Sequence, residues 1–261
     1  MVIFDELTYA ENLKKKGFAK RANTKDLKIY AKWLKHNNFT SKQIKDELLK
    51  LCHKYDLTFN EIIHAKYIKD AIREIKKNRL RIPISIGITQ SEIDKIESLP
   101  TIKHRKIMFI VLLTSKYLKL NNVKIFSKKE LEQPDKPLSF YYNSEIRDAV
   151  KLAKVSVTQD ELIGIQYCFQ QNGFCSVTRQ GTVKILFIDL DGEPVISVDH
   201  YDNPILYYDE YVGVNNIIRC CECGTPIKKT NNKKKYCDGC AEKNRREQDK
   251  LRMENLRNSR K

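Results

Sequence analysis

Residues 220 to 240, CCECGTPIKKTNNKKKYCDGC, hold five of the chain's eight cysteines and constrain the fold more than any other stretch. Two residues separate Cys220 from Cys223 and Cys237 from Cys240, and a thirteen-residue insert separates the pairs. Two chelating pairs at this spacing close a tetrahedral four-thiolate zinc site. Each pair folds as a tight turn whose backbone N–H groups point at the thiolates, and Gly224 and Gly239 suit such turns. Cys221 leaves only one residue before Cys223, too few for a chelating pair, and reads as a spare thiol. Zn2+ on Cys220, Cys223, Cys237 and Cys240 is therefore the expected cofactor. Disulfide bonding is the competing use. The start, MVIFDELTYA, has no positively charged and apolar signal segment, so a reducing cytoplasm is expected.

Charge then narrows the partners. Across 261 residues the net charge is +16, with a pI near 9.4, which favours a polyanion. Residues 1–80 carry 19 basic and 10 acidic side chains, and residues 220–261 carry 13 and 6. The segment between them is neutral, and residues 185–210 hold seven acids and no Lys or Arg. The two ends are the electrostatic candidates. The longest apolar run, IMFIVLL at 107–113, is far too short to span a membrane, so no membrane partner is expected.

Helix starts are unusually legible. Thr40-x-x-Gln43, Thr58-x-x-Glu61, Thr89-x-x-Glu92, Ser127-x-x-Glu130 and Thr158-x-x-Glu161 all read as capping boxes. They predict helices near 41–54, 59–78, 90–98, 128–133 and 159–171. Apolar spacing of three and four adds helices at 25–37 and 104–119. Pro83, Pro100, Pro134 and Pro137 fall in the breaks. After Asn172-Gly173 the period changes to two, and FCSV, TVKILFIDL, PVISVD and PILYYDEYV read as strands of a small meander.

Residues 144–188 have the pattern of a winged helix-turn-helix. A helix at 144–154 precedes a capped helix at 159–171, then a hairpin with its tip at Arg179-Gln180-Gly181. On the second helix Leu162, Ile165 and Phe169 are expected inside, with Gln159, Asp160, Gln166, Gln170 and Gln171 outside. Gln can read adenine bidentately, and Arg179 and Lys184 would touch phosphate. This helix carries no Lys or Arg, however, and Asp160 and Glu161 at its start repel phosphate, so a protein-docking use competes with base reading.

The expected fold is α+β, in four regions: a basic helical region at 1–100, a winged-helix-like region with a β meander at 101–215, a four-cysteine zinc ribbon at 216–242 and a charged helix or tail at 243–261. Candidate nucleic-acid contacts are Lys14, Lys15, Lys16, Lys20 and Arg21 at the start. At the end they are Lys228, Lys229, Lys233, Lys234, Lys235, Arg245 and Arg246. Arg73, Lys76, Lys77, Arg79 and Arg81 could extend the first set, although nearby acids make a solvated helix face the competing reading. Trp33, Cys52, His53 and His64 read as structural.

The tail, with Cys-x2-Cys-Gly, then Lys-Tyr-Cys-x2-Cys-Ala and an Arg-rich helix, resembles the zinc ribbons that end many proteins of phages and mobile elements of low-GC Gram-positive bacteria. The segment DLKIYAKWLKHNNFTSKQIKDELLKLCHKY and the 144–188 pattern resemble the same group. The resemblance implies a phage-like setting and DNA binding.

An enzymatic reading comes from ILFIDLDGEP, where Asp189-x-Asp191-Gly192 is similar to the metal-binding or nucleophilic loops of phosphotransferases and primases. A turn at Asp191-Gly192 explains the same letters, and 28 residues before Cys220 leave no room for a phosphotransferase domain. No histidine follows His200, which disfavours an HNH nuclease. The expectation is a non-enzymatic, nucleic-acid-binding regulator or replication accessory of the cytoplasm and nucleoid. The alternative is an interaction protein that binds a host or phage complex and inhibits or redirects a host machine such as RNA polymerase or a nucleoprotein defence complex.

Overall fold

The computed structural model describes residues 2–126, 139–142, 145–178 and 182–258, with side chains undescribed at 122–126 and 256–258. Those residues form ten helices and seven short strands, a mixed α/β chain in which every strand pair is antiparallel. The expected box at Ser127 and Glu130, its helix at 128–133, Pro134, Pro137 and the hairpin tip with Arg179 lie outside the described residues. The chain divides into two compact units, each discontinuous in sequence.

The first unit comprises residues 1–84, 114–145 and 175–186. Four helices build its core: α1 (Glu6–Lys16), α2 (Thr24–His36), α3 (Ser41–Tyr55) and α4 (Ala65–Lys77). The Asp5 carboxylate accepts from Thr8 N at 2.9 Å and Asn23 accepts from Asp26 N at 3.0 Å, so both helices start on side-chain caps. Thr40 and Gln43 close the expected capping box on α3. Leu13, Leu27, Leu34, Ile44, Leu48, Ile68 and Ala71 interleave in the core. At the end of α1, Gly17 adopts φ +78°, and a Cβ there would meet the Tyr55 ring at 2.4 Å. Only glycine fits that stop.

One interaction in this core is ionic. Lys32 Nζ lies 2.6 Å from both carboxylate oxygens of Glu6, and both side chains are almost fully buried. Glu6 also accepts from Arg81 N at 2.8 Å. Burial pulls the Lys32 ammonium below its usual pKa, against the opposing attraction of Glu6. The unit also holds a three-stranded sheet of β2 (Phe140–Tyr142), β3 (Cys175–Val177) and β4 (Val183–Ile185) in the order β2–β4–β3.

The second unit comprises residues 85–113, 146–174 and 187–261. Strand β1 (Ile86–Thr89) pairs with β5 (Pro194–Val198), placing Ile86 opposite Val198. Helix α5 (Gln90–Glu97) starts on the Thr89/Glu92 capping box. Helix α6 (Ile102–Phe126) begins in this unit, and the run from Ile107 to Leu113 is buried on all sides. That explains why no polar stripe interrupts it. Helix α7 (Ile146–Ala153) leads to α8 (Gln159–Gln171), capped by Thr158 and Glu161. Leu162, Ile165 and Phe169 are buried as expected, with Gln159, Asp160, Gln170 and Gln171 exposed and Gln166 half-exposed.

Three expectations are corrected. Thr58 and Glu61 form no box: Asp56 accepts both the Thr58 N–H and hydroxyl, Glu61 meets His53 at 2.9 Å, and α4 starts only at Ala65. Residues 204–212 are not a strand. Pro204, with φ −65°, leads into helix α9 (Ile205–Tyr211), and Ile205, Leu206, Tyr207 and Tyr208 are all buried. A continuous buried run carries neither period, and the proline pre-sets helical φ. Among the described residues there is also no meander of consecutive strands, because β4 pairs with β2 and β3 whereas β5 pairs with β1.

The sequence reading missed α1, behind its lysines, and the short strands β1 and β2. No described helix is long and apolar enough to cross a membrane.

Candidate metal centre

The hairpin of β6 (Ile217–Arg219) and β7 (Pro226–Lys228) positions the first cysteine pair. Cys220 N donates to Thr225 O at 2.9 Å and Gly224 N donates to Cys220 O at 3.0 Å, which bends residues 220–225 into a tight knuckle. Gly224 takes φ +73° at the turn, where a side chain would be strained. The second pair sits at the start of helix α10 (Asp238–Asn258). Cys237 precedes its first turn, and Cys240 N donates to Cys237 Sγ at 3.4 Å. The free N–H groups of a helix start favour a thiolate there.

These segments bring Cys220, Cys223, Cys237 and Cys240 together, with all four sulfurs within 4.8 Å of one another. Cys223 Sγ and Cys237 Sγ are 3.7 Å apart. Metal–sulfur bonds of about 2.3 Å in a tetrahedron put sulfurs about 3.8 Å apart, so the cluster can hold a metal ion with little adjustment. A disulfide would need a sulfur separation of about 2.05 Å, and all eight cysteines are free. Cys221 is exposed and stands outside the cluster, as its spacing suggested.

Within the donor set Cys220 is the thiol prepared for negative charge, whereas burial raises Cys237 and the hydrogen bond to Cys237 raises Cys240. Burial would raise the Cys220 thiol, yet backbone N–H groups of Cys223, Cys237 and Glu222 bring it down to about 6. Cys237 N reaches Cys220 Sγ at 3.3 Å. By contrast, burial pushes Cys52 up to about 12 and Cys175 up to about 11, which marks them as inert core thiols. His64 Nδ1 lies 3.0 Å from Asn60 N and 2.9 Å from Asn60 O within its own turn, and neither His64 nor Cys52 joins a group of potential metal ligands among the described residues.

A bidentate pair anchors the hairpin. Arg219 Nε and Nη2 donate to the two carboxylate oxygens of Glu210 at 2.8 and 2.6 Å, while Nη1 reaches Gly224 O at 3.2 Å. One guanidinium thus ties α9 to the cysteine knuckle. Nothing in the sequence signalled this clamp, because residues 204–212 read as a strand.

The basic candidates divide between the units. Lys14, Lys15, Lys16, Lys20 and Arg21 are exposed in the first, with Lys14 Nζ 4.9 Å from the Trp33 ring centre. Lys184 is half-buried in the central strand β4. In the second unit Lys228, Lys233 and Lys235 are exposed and make no ion pair among the described residues. Lys229 is half-exposed, and Lys234 lies 3.3 Å from Asp238. Arg245 and Arg246 both pair with Glu242 on the exposed face of α10. Arg81 is half-exposed, with its guanidinium 3.8 Å from Glu6.

Asp189 is occupied by its turn. Its carboxylate accepts from Ser91 Oγ at 2.6 Å, Thr89 Oγ1 at 3.1 Å, Gly192 N at 3.0 Å and Asp191 N at 3.1 Å. Comparison with protein-family models, curated proteins and solved structures returns no match to this chain.

Proposed function

We propose that this chain is a zinc-containing nucleic-acid-binding protein of a phage or mobile element, acting in the cytoplasm and nucleoid as a regulator or replication accessory. The observation that carries the reading is the placement of the four thiols. They join a β-hairpin to the start of helix α10, and Lys228, Lys233 and Lys235, exposed and unpaired among the described residues, lie in the segment between the two cysteine pairs. Zinc suits four thiolates in a closed tetrahedron, with no open position for catalysis. Its role would be structural: it fixes the hairpin to α10, so that the lysines are presented in one arrangement.

From Arg245 to Asn255 every side chain of α10 is exposed, and the described part of the helix has no apolar stripe. A helix polar all round needs an outside partner or many internal pairs to persist. Phosphate contacts would provide the first. Chain order alone, with α7 and α8 followed by the paired strands β3 and β4, supports a winged-helix reading for the middle of the chain. The outward face of α8 offers no cation, so the wing region would orient the complex rather than supply its affinity.

The test is equilibrium binding of purified, zinc-loaded protein to labelled duplex DNA, single-stranded DNA and RNA at about 50 mM salt, where phosphate contacts are strongest. Binding to at least one, weakening as salt rises, is expected. Failure to bind all three removes the reading.

A further inference from the structure

The first unit carries a groove that its own core does not fill. It lies between α3 and α4, has a volume of about 520 Å³, and is floored by Leu49, Ile68 and Ile72. Lys45, Lys69 and Lys76 rim it, and none of the three makes an ion pair among the described residues. Arg73 adds a fourth cation, 3.7 Å from Asp70, while Glu61 is the single acid on the lining. The loop from α3 to α4 reaches the lining through Glu61. It displays Leu57, Ile62 and Ile63 at 99%, 87% and 75% exposure, the three most exposed large apolar side chains described.

That loop is held in place. Asp56 and Asn60 cap its backbone: Asp56 accepts from Thr58 N at 3.0 Å, and Asn60 accepts from Ile62 N at 2.9 Å and Ile63 N at 3.1 Å. A short loop that fixes its backbone in order to point three aliphatic side chains into water is costly unless something covers them. We propose that this groove and loop dock an acidic amphipathic helix from a partner protein. Its apolar side chains would lie on Leu49, Ile68 and Ile72 and beside the loop aliphatics. Its carboxylates would face Lys45, Lys69, Lys76 and Arg73.

Helix-in-groove recognition needs an apolar floor with anchors at i, i+3 or i+4, and i+7. Helix α4 has thirteen residues, which gives the groove a length of about 20 Å and room for two such anchor repeats. The rim charge then selects the sign of the ligand. Nucleic acid fits the rim alone, since phosphates gain nothing from Leu57, Ile62 and Ile63. The site is independent of the metal centre and of the lysines around it.

The experiment is selection of displayed random peptides of about sixteen residues on immobilised full-length, zinc-loaded protein. It runs in parallel on Ile62→Asp/Lys69→Glu, both surface positions, with thermal unfolding confirming that the variant is folded. Ile63→Asp/Lys45→Glu serves if it is not. Enriched peptides should carry Asp or Glu around an i, i+4, i+7 apolar face and bind the variant at least about tenfold more weakly. Peptides without acidic bias, peptides that bind the variant equally, or no enrichment over the variant would each overturn the proposal. So would competition by a single-stranded oligonucleotide, which assigns the groove to nucleic acid. Self-association abolished by Ile62→Asp would assign it to a second copy of the chain.

Discussion

The backbone N–H of Cys237 donates to Cys220 Sγ at 3.3 Å, joining the two cysteine pairs across seventeen residues of chain before any metal is considered. Cys220 is also the most buried of the four ligands. The ligand assignment therefore predicts an asymmetry between adjacent cysteines. Cys220→Ser should lose the metal, while Cys221→Ser, altering an exposed thiol outside the cluster, should keep one zinc per chain. Elemental analysis of the two purified variants checks this. The reverse pattern would show that Cys221 is the ligand.

A second prediction concerns the ion pair of the first unit. Lys32→Ala removes the nearer of two cations from the buried Glu6 carboxylate and leaves the Arg81 guanidinium 3.8 Å away. Breaking a buried pair costs about 3–5 kcal/mol, and the remaining Arg81 charge holds the loss toward the lower end. Urea unfolding should show a loss of that order. Lys50→Ala, which removes an exposed pair with Glu47, should leave the unfolding midpoint close to that of the wild-type protein.

Asp189 gives a prediction about pH. The hydrogen bond from Ser91 and those from Gly192, Asp191 and Thr89 hold its carboxyl down to about 2. A carboxylate whose folded pKa is depressed contributes stability that is complete above its unfolded value of about 4. That contribution fades as pH falls through about 2. The melting temperature should therefore drop between pH 4 and pH 2, and Asp189→Asn should flatten this drop while lowering the melting temperature at neutral pH. An unchanged acid profile in the variant would remove Asp189 as its source.

How much of this was legible in the sequence varied with the range of the interaction. Thr40, Thr89 and Thr158 marked true helix starts because a capping box is complete within four residues. Leu162, Ile165 and Phe169 pointed inward because helical spacing is equally local. The four clustered cysteines were readable for the same reason. Thr58 misled because Asp56, two residues earlier, competes for the same hydroxyl, and no spacing rule ranks the two. Residues 205–208 misled because total burial erases periodicity. The pairing of β5 with β1, the Arg219–Glu210 clamp and the α3–α4 groove depend on tertiary arrangement, for which a single sequence offers no signal.

The most direct test of the nucleic-acid reading is the salt dependence of binding in the triple variant Lys228→Ala, Lys233→Ala, Lys235→Ala. All three lysines are exposed, unpaired among the described residues and separate from the metal ligands. If each contacts one phosphate, the slope of log affinity against log salt should flatten by roughly 2–3 units relative to the wild-type protein. Lys151→Ala, exposed on α7, should leave the slope unchanged. A triple variant that keeps its zinc and shows the wild-type slope would contradict the placement of nucleic acid at the metal centre.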